Sequence, residues 1–132
     1  MFFSDPEEMR QIKGTAFNKP ARTFDPVLGY RWNQDIRFTR VANGEIVADR
    51  RPKINKQGFH CSFDYERKKP SDRAFRFIAL GDSFTNDLSC SEAWPETLHR
   101  LLRSRSEHGL DVQVYGMPTD GGGLMNWYTV LK

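Results

Sequence analysis

The apolar positions change their rhythm near residue 73. Before that point they come in short groups bounded by turns. Asp35-Ile-Arg-Phe-Thr-Arg-Val41 has apolar residues at Ile36, Phe38 and, one step out of phase, Val41. Asn43-Gly44 follows, a pair suited to the two positive-φ positions of a type I′ turn. Glu45-Ile-Val-Ala-Asp49 then reads as the returning strand of a hairpin, ended by Pro52. Gln57-Gly58 marks another turn, and Lys68-Lys-Pro-Ser-Asp72 has the composition of a linker. Ahead of all this, residues 1–22 are polar and carry Pro6, Gly14 and Pro20, which predicts an arm with room for one short helix. The chain therefore divides into an arm (1–22), an irregular β-rich leader (23–72) and a third stretch (73–132).

The third stretch is patterned differently. Phe75-Arg-Phe-Ile-Ala-Leu80 is a short, mostly apolar run stopped by Gly81, as expected of a strand buried on both faces of a parallel sheet. Trp94, Leu98, Leu101 and Leu102 then fall on one face of a helix. Ser91 is its expected N-cap, Pro95 sits in its first turn and Gly109 closes it. Val112, Val114 and Tyr115 predict a second strand, broken by Pro118 and Gly121-Gly-Gly123. Leu124, Trp127, Tyr128 and Leu131 again have helical spacing. Strand, helix, strand, helix is an α/β pattern, with a right-handed crossover expected between the strands.

Bulk properties narrow the chemistry. The 132 residues are enough for one ordinary domain, and 38% hydrophobic with 28% charged content is polar but not that of a disordered chain. The net charge of +3 is mild, and the basic clusters Arg50-Arg51-Pro52-Lys53 and Arg67-Lys68-Lys69 are short and beside turns. They read as solvated surface, so no nucleic-acid partner is expected. Cys61 and Cys90 form no CxxC pattern, and no His/Asp/Glu group has metal-ligand spacing, so neither a metal nor a cofactor is expected. Gly121-Gly-Gly123 lacks the residues of a phosphate loop and reads as a flexible turn. Trp94 and Trp127 sit at helical core spacing, which predicts burial, while Trp32 falls in no such pattern. No apolar run approaches the ~20 residues of a membrane span, and the first residues turn acidic at once. The default expectation is a cytoplasmic chain with no membrane segment.

The candidate chemistry lies at the strand ends. In open α/β sheets, sites form outside the carboxyl ends of the strands. Gly81-Asp82-Ser83 and the loop from Gly116 to Gly123 both hold that position. A serine there can be exposed, with its own N–H free to stabilise an oxyanion. Position alone also fits a plain turn, because Gly, Asp, Ser and Thr are ordinary residues between strand and helix.

The wording of the motif adds to the position. Ala79-Leu80-Gly81-Asp82-Ser83-Phe84-Thr85 resembles the first conserved block of the SGNH, or GDSL, hydrolases. Ser91-Glu-Ala-Trp94-Pro95-Glu-Thr-Leu98 resembles the helix after the nucleophile, and Val112-Gln-Val-Tyr115 with the glycine-rich loop resembles the second block. Phe24-Asp-Pro-Val-Leu-Gly29-Tyr30-Arg31 and Ile54-Asn55-Lys-Gln-Gly58-Phe59 resemble the β-rich leader of one branch, so the likeness covers roughly residues 23–132. It implies a three-layer α/β/α sheet of flavodoxin-like type and a Ser-His-Asp mechanism on esters, including acetylated carbohydrates, with O-acetyltransferases among the relatives. Carried over, Ser83 is the nucleophile and one oxyanion donor, and Asp82 organises the loop. In the second block Gly116 stands at the asparagine, Pro118 at the first glycine and Gly121 at the second. Proline has no N–H, so Pro118 cannot be an oxyanion donor. Asp87 also stands where relatives often have glycine.

The third and last family blocks, which would bring the oxyanion asparagine and the catalytic histidine, are expected beyond Lys132. His60, His99 and His108 are not expected to serve as the base, and His99 and His108 are expected to face solvent. The sequence expectation is thus the incomplete amino-terminal part of an SGNH-type acyl-ester hydrolase, inactive alone, acting by descent on a small ester or an acetylated carbohydrate. The alternatives are a non-catalytic binding or scaffold relative and an O-acetyltransferase. Relatives with this leader are often anchored outside the cytoplasm by an upstream segment, which would make the location extracytoplasmic.

Overall fold

The computed structural model describes residues 14–106 and 111–131, and they form a mixed α/β structure. Five short strands come first: β1 (Gly14–Phe17), β2 (Arg22–Asp25), β3 (Gly29–Trp32), β4 (Phe38–Ala42) and β5 (Glu45–Arg50). β1, β4 and β5 make an antiparallel sheet in that order, and β2 and β3 make a separate hairpin. The β4–β5 turn is the expected one, with Asn43 and Gly44 at φ of 54° and 78°. The register shifts between Arg40 and Val41. That bulge explains why Val41 is out of phase in the sequence yet buried beside Phe38. Of the expected polar arm, residues 14–17 are a strand of this sheet, paired with Phe38–Val41, and residues 1–13 lie outside the described residues.

The second part holds β6 (Ala74–Gly81), α1 (Ser83–Asn86), α2 (Trp94–Arg105), β7 (Asp111–Pro118) and α3 (Leu124–Leu131). β6 and β7 pair in parallel, from Ala74↔Asp111 to Gly81↔Pro118. This register sets the two chemistry-bearing strand ends side by side. α2 packs on β7, as the βαβ pattern predicts. Its N-cap is Ala93, in extended conformation and with no side-chain cap, rather than Ser91. Pro95 supplies the start, since it needs no N–H in the first turn. The helix ends at Arg105 with Ser106 as cap, and the expected stop at Gly109 lies outside the described residues.

Two burial expectations fail together. β6 is not covered on both faces, because Phe75 and Phe77 are more than half exposed, and Trp94, Leu98 and Leu101 on α2 are also exposed. The parallel sheet has two strands among the described residues, too narrow to cover the whole apolar stripe of α2. The described core lies instead in the leader, where Trp32, Ile36, Phe38 and Ile54 pack with Leu88. Leu88 comes from the segment just after Ser83, so the leader's core and the serine loop share one packed unit.

The edge of β7 is closed by side chains rather than by another strand. The Val114 N–H donates to His99 Nδ1 at 3.0 Å. The Gly116 N–H donates to the Tyr65 hydroxyl at 3.1 Å, which donates back to the Gly116 carbonyl at 2.8 Å. Covering an edge in this way blocks pairing with a further strand. His99 is accordingly half-buried, its ring tilted 33° against Phe63 at 4.4 Å between ring centres, and does not face solvent as the helix pattern suggested. His108 lies outside the described residues.

Both cysteines are free thiols, Cys61 buried and Cys90 exposed. Burial pushes the Cys61 thiol up to about 11, while Cys90 donates to the Asp87 carboxylate at 2.9 Å. A maleimide reagent is therefore expected to modify Cys90 in the native protein and Cys61 only on unfolding, read by peptide mass. Equal native labelling of the two would contradict this packing. No helix among the described residues is long and apolar enough to cross a membrane.

Candidate active site

The chain leaves β6 at Gly81 and turns at once into the short helix α1. Asp82 is the N-cap of that helix: its carboxylate accepts the Phe84 N–H at 3.0 Å, and its carbonyl accepts the Thr85 and Asn86 N–H groups. Ser83 is the first helical residue and is exposed. Neither its hydroxyl nor its N–H has a hydrogen-bond partner among the described residues. The turn requires glycine at 81, because a Cβ there would lie 2.0 Å from the Thr85 hydroxyl oxygen.

The second loop is tied to the first at the Gly81 carbonyl. It accepts the Thr119 N–H at 2.9 Å and the Trp127 indole N–H at 3.0 Å. Gly121 takes φ of 72° in this loop and is exposed. Gly116 and Pro118 both lie within β7 rather than in the loop after it. The Gly116 N–H is already taken by Tyr65, and a Cβ at 116 would press on Pro95 at 2.9 Å. The Gly116 N–H is therefore not available to an oxyanion and Pro118 has none, whereas the Ser83 N–H at this strand end is free of partners among the described residues.

Ser83 opens on a groove of about 650 Å³ between the serine turn and the leader. Ser83, Phe84, Asn86 and Asp87 form one side, Asp120 lies at the end of the second loop, and Phe17, Arg22, Trp32 and Arg40 come from the leader. The sequence pattern did not single out Arg22, Arg40, Asn86 or Asp120. Two of them had a usable signal: Asn86 follows Ser83 by one helical turn, and Asp120 sits in the glycine-rich loop at the neighbouring strand end. The arginines had none, because it is the docking of the leader that brings them here.

Asp120 is the groove acid whose pKa is raised. Its backbone N–H donates to the Tyr30 hydroxyl at 2.8 Å, and its side chain accepts the Asn86 amide at 3.3 Å, with Arg22 3.7 Å away. Burial raises its pKa above the usual carboxylate value, and the nearby Asp82 charge acts in the same direction; Asn86 and Arg22 oppose but do not win. A raised carboxylate pKa costs stability as pH climbs from the unfolded value through the folded one. Asp120→Asn is therefore expected to gain stability relative to the native chain as pH rises above 4, measured by urea midpoints across pH. A difference that is flat with pH, or moves the other way, would refute it. Asp87 is shifted down: burial works against this, but bonds from the Cys90 thiol and from the Ser89 hydroxyl and N–H outweigh it.

Neither described histidine is hydrogen-bonded to the serine. His60 is buried and its Nδ1 donates to the Asn86 carbonyl at 2.7 Å, which leaves Nε2 unpartnered. His99 is committed to β7. The described site therefore presents a serine with free hydroxyl and N–H beside a groove, without an imidazole hydrogen-bonded to Ser83 among the described residues. Comparison with protein-family profiles, with curated proteins and with solved structures returns no match.

Proposed function

We propose that the chain presents the nucleophile of an SGNH-type serine acyl-ester hydrolase, with β6 and β7 as strands of a three-layer α/β/α sheet. The observation that carries this reading is Ser83 itself. Its hydroxyl and N–H are both free at the carboxyl end of a parallel strand, at the mouth of a groove sized for a small ester or one acetylated sugar. In the proposed step Ser83 Oγ attacks the ester carbonyl, the carbonyl oxygen takes the developing charge against the Ser83 N–H, and the alkoxide leaves. Because neither described histidine is bonded to Ser83, the hydroxyl proton passes to water, and acylation by this chain is slow and close to stoichiometric.

The test is incubation with p-nitrophenyl acetate followed by peptide mass analysis. The expected result is one acetyl group on the Ser83 peptide of the wild type and none on that peptide of Ser83→Ala. An incomplete triad retains roughly 10³–10⁴-fold over water from the oxyanion donor and binding alone. Equal p-nitrophenol release by the two proteins, with no acetyl at residue 83, would refute the nucleophile. A second reading, a non-catalytic ester- or sugar-binding relative, is favoured by one observation: Pro118 has no N–H and that of Gly116 is consumed by Tyr65. Under that reading the groove still binds an ester while residue 83 stays unmodified.

A further inference from the structure

The leader places two arginines in the serine groove, and neither guanidinium donates a hydrogen bond among the described residues. Arg40, on β4, is exposed, and its side chain has no hydrogen bond or ion pair among the described residues. Arg22, on β2, has its guanidinium carbon 4.4 Å from the ring centres of both Tyr30 and Trp32. This stacking holds the head group in place while leaving its N–H donors in plane and open. Its charged partner among the described residues is Asp120 at 3.7 Å, longer than a hydrogen bond, and 47% of the Arg22 side chain is exposed.

The acids of the groove do not cancel these charges from the solvent side. Asp87 is occupied by Ser89 and Cys90, within its own turn. Asp120 faces inward to Asn86, with 13% of its side chain exposed. The charge offered to a ligand in the groove that Ser83 lines is therefore positive, and Phe17, Trp32 and Phe84 add apolar lining.

We propose that this groove selects esters carrying a second, anionic group, a carboxylate held by Arg40 and Arg22 while the ester reaches toward Ser83. The inference rests on the serine reading for the ester and on the arginines for the charge. A guanidinium matches a carboxylate with two parallel N–H donors, and the short apolar wall suits a few methylenes between the two ends. A neutral sugar would want free acceptors as well as donors, and the carboxylates of Asp87 and Asp120 are already engaged within the protein.

The test is an NMR titration with monomethyl succinate, its neutral isostere methyl butyrate, and methyl glucoside. The acidic ester is expected to bind roughly three- to tenfold more tightly than the neutral one, the sum of two solvent-exposed ion pairs. That preference should fall in Arg40→Gln and in high salt. Equal affinity for the two esters, a preference unchanged in Arg40→Gln, or tightest binding of the glucoside would each overturn the proposal. The outcomes separate it from the serine reading. Acetylation of Ser83 without a charge preference refutes the arginine clamp alone, and a charge preference without acetylation refutes the nucleophile alone.

Discussion

Trp32→Ala is expected to cost about 3–5 kcal/mol of folding stability, the usual range for removing a large aromatic side chain from a core. Trp32 is 7% exposed and packs with Ile36, Phe38, Ile54 and Leu88. Phe17 and Tyr30 lie against it at 5.7 and 6.1 Å between ring centres, and Arg22 stacks on its face. Domains are commonly stable by about 5–15 kcal/mol, so the loss removes a large share of the margin. The groove loses its wall in the same stroke. Trp94→Ala supplies the contrast. Trp94 is 49% exposed, so its removal is expected to cost about 1 kcal/mol. Urea midpoints of the two variants measure the difference, and a larger loss for Trp94 would show that the core does not lie in the leader.

The same two tryptophans show where the sequence was legible. Helical spacing ranks Trp94 as core and leaves Trp32 unassigned, because spacing reports which face of an element is apolar and not whether anything covers it. Element types were readable where the local rule is strong. Asn43-Gly44 demands positive φ and gives the hairpin, and the run Phe75–Leu80 before Gly81 gives a strand one residue shorter at each end than β6. Ser91 was a reasonable cap by type, yet Pro95, with its fixed φ and no N–H to satisfy, sets the helix start. The strand Gly14–Phe17 escaped notice because its partner, Phe38–Val41, is far off in the chain, and pairing of that kind leaves no local period.

The site divides along the same line. Ser83 and Asp82 were legible, since a strand end followed by a capped turn is a local arrangement. The tie between the two loops was not. Gly116 was assigned to an oxyanion loop, but the structure keeps it in β7, where Tyr65 from the leader takes both its N–H and its carbonyl. Tyr30 does the same to Asp120. Two leader tyrosines thus fix the backbone of the second block, and nothing in their surroundings in sequence signals it. Arg22 and Arg40 enter the groove by the same long-range docking.

Gly81→Ala is expected to be the most damaging single change at the serine turn. A Cβ at 81 would lie 2.0 Å from the Thr85 hydroxyl oxygen and 2.6 Å from Thr85 Cβ. Both atoms belong to a buried side chain on α1, so the relief must come from the backbone. Overpacking of a tight site costs roughly 1–3 kcal/mol. A contact this short against a buried side chain belongs at the upper end, about 3 kcal/mol. The movement would also displace the Gly81 carbonyl from Thr119 and Trp127, separating the two loops and turning Ser83 out of the groove. Acetylation at Ser83 should fall together with stability. Thr85→Ala leaves the offending Cβ in place and should not rescue, whereas Thr85→Gly removes both atoms and should recover part of the loss. A double-mutant cycle of Gly81→Ala with Thr85→Gly measures that coupling. Additive losses in the cycle would mean that the two positions do not collide, and that glycine at 81 answers to some other constraint of the turn.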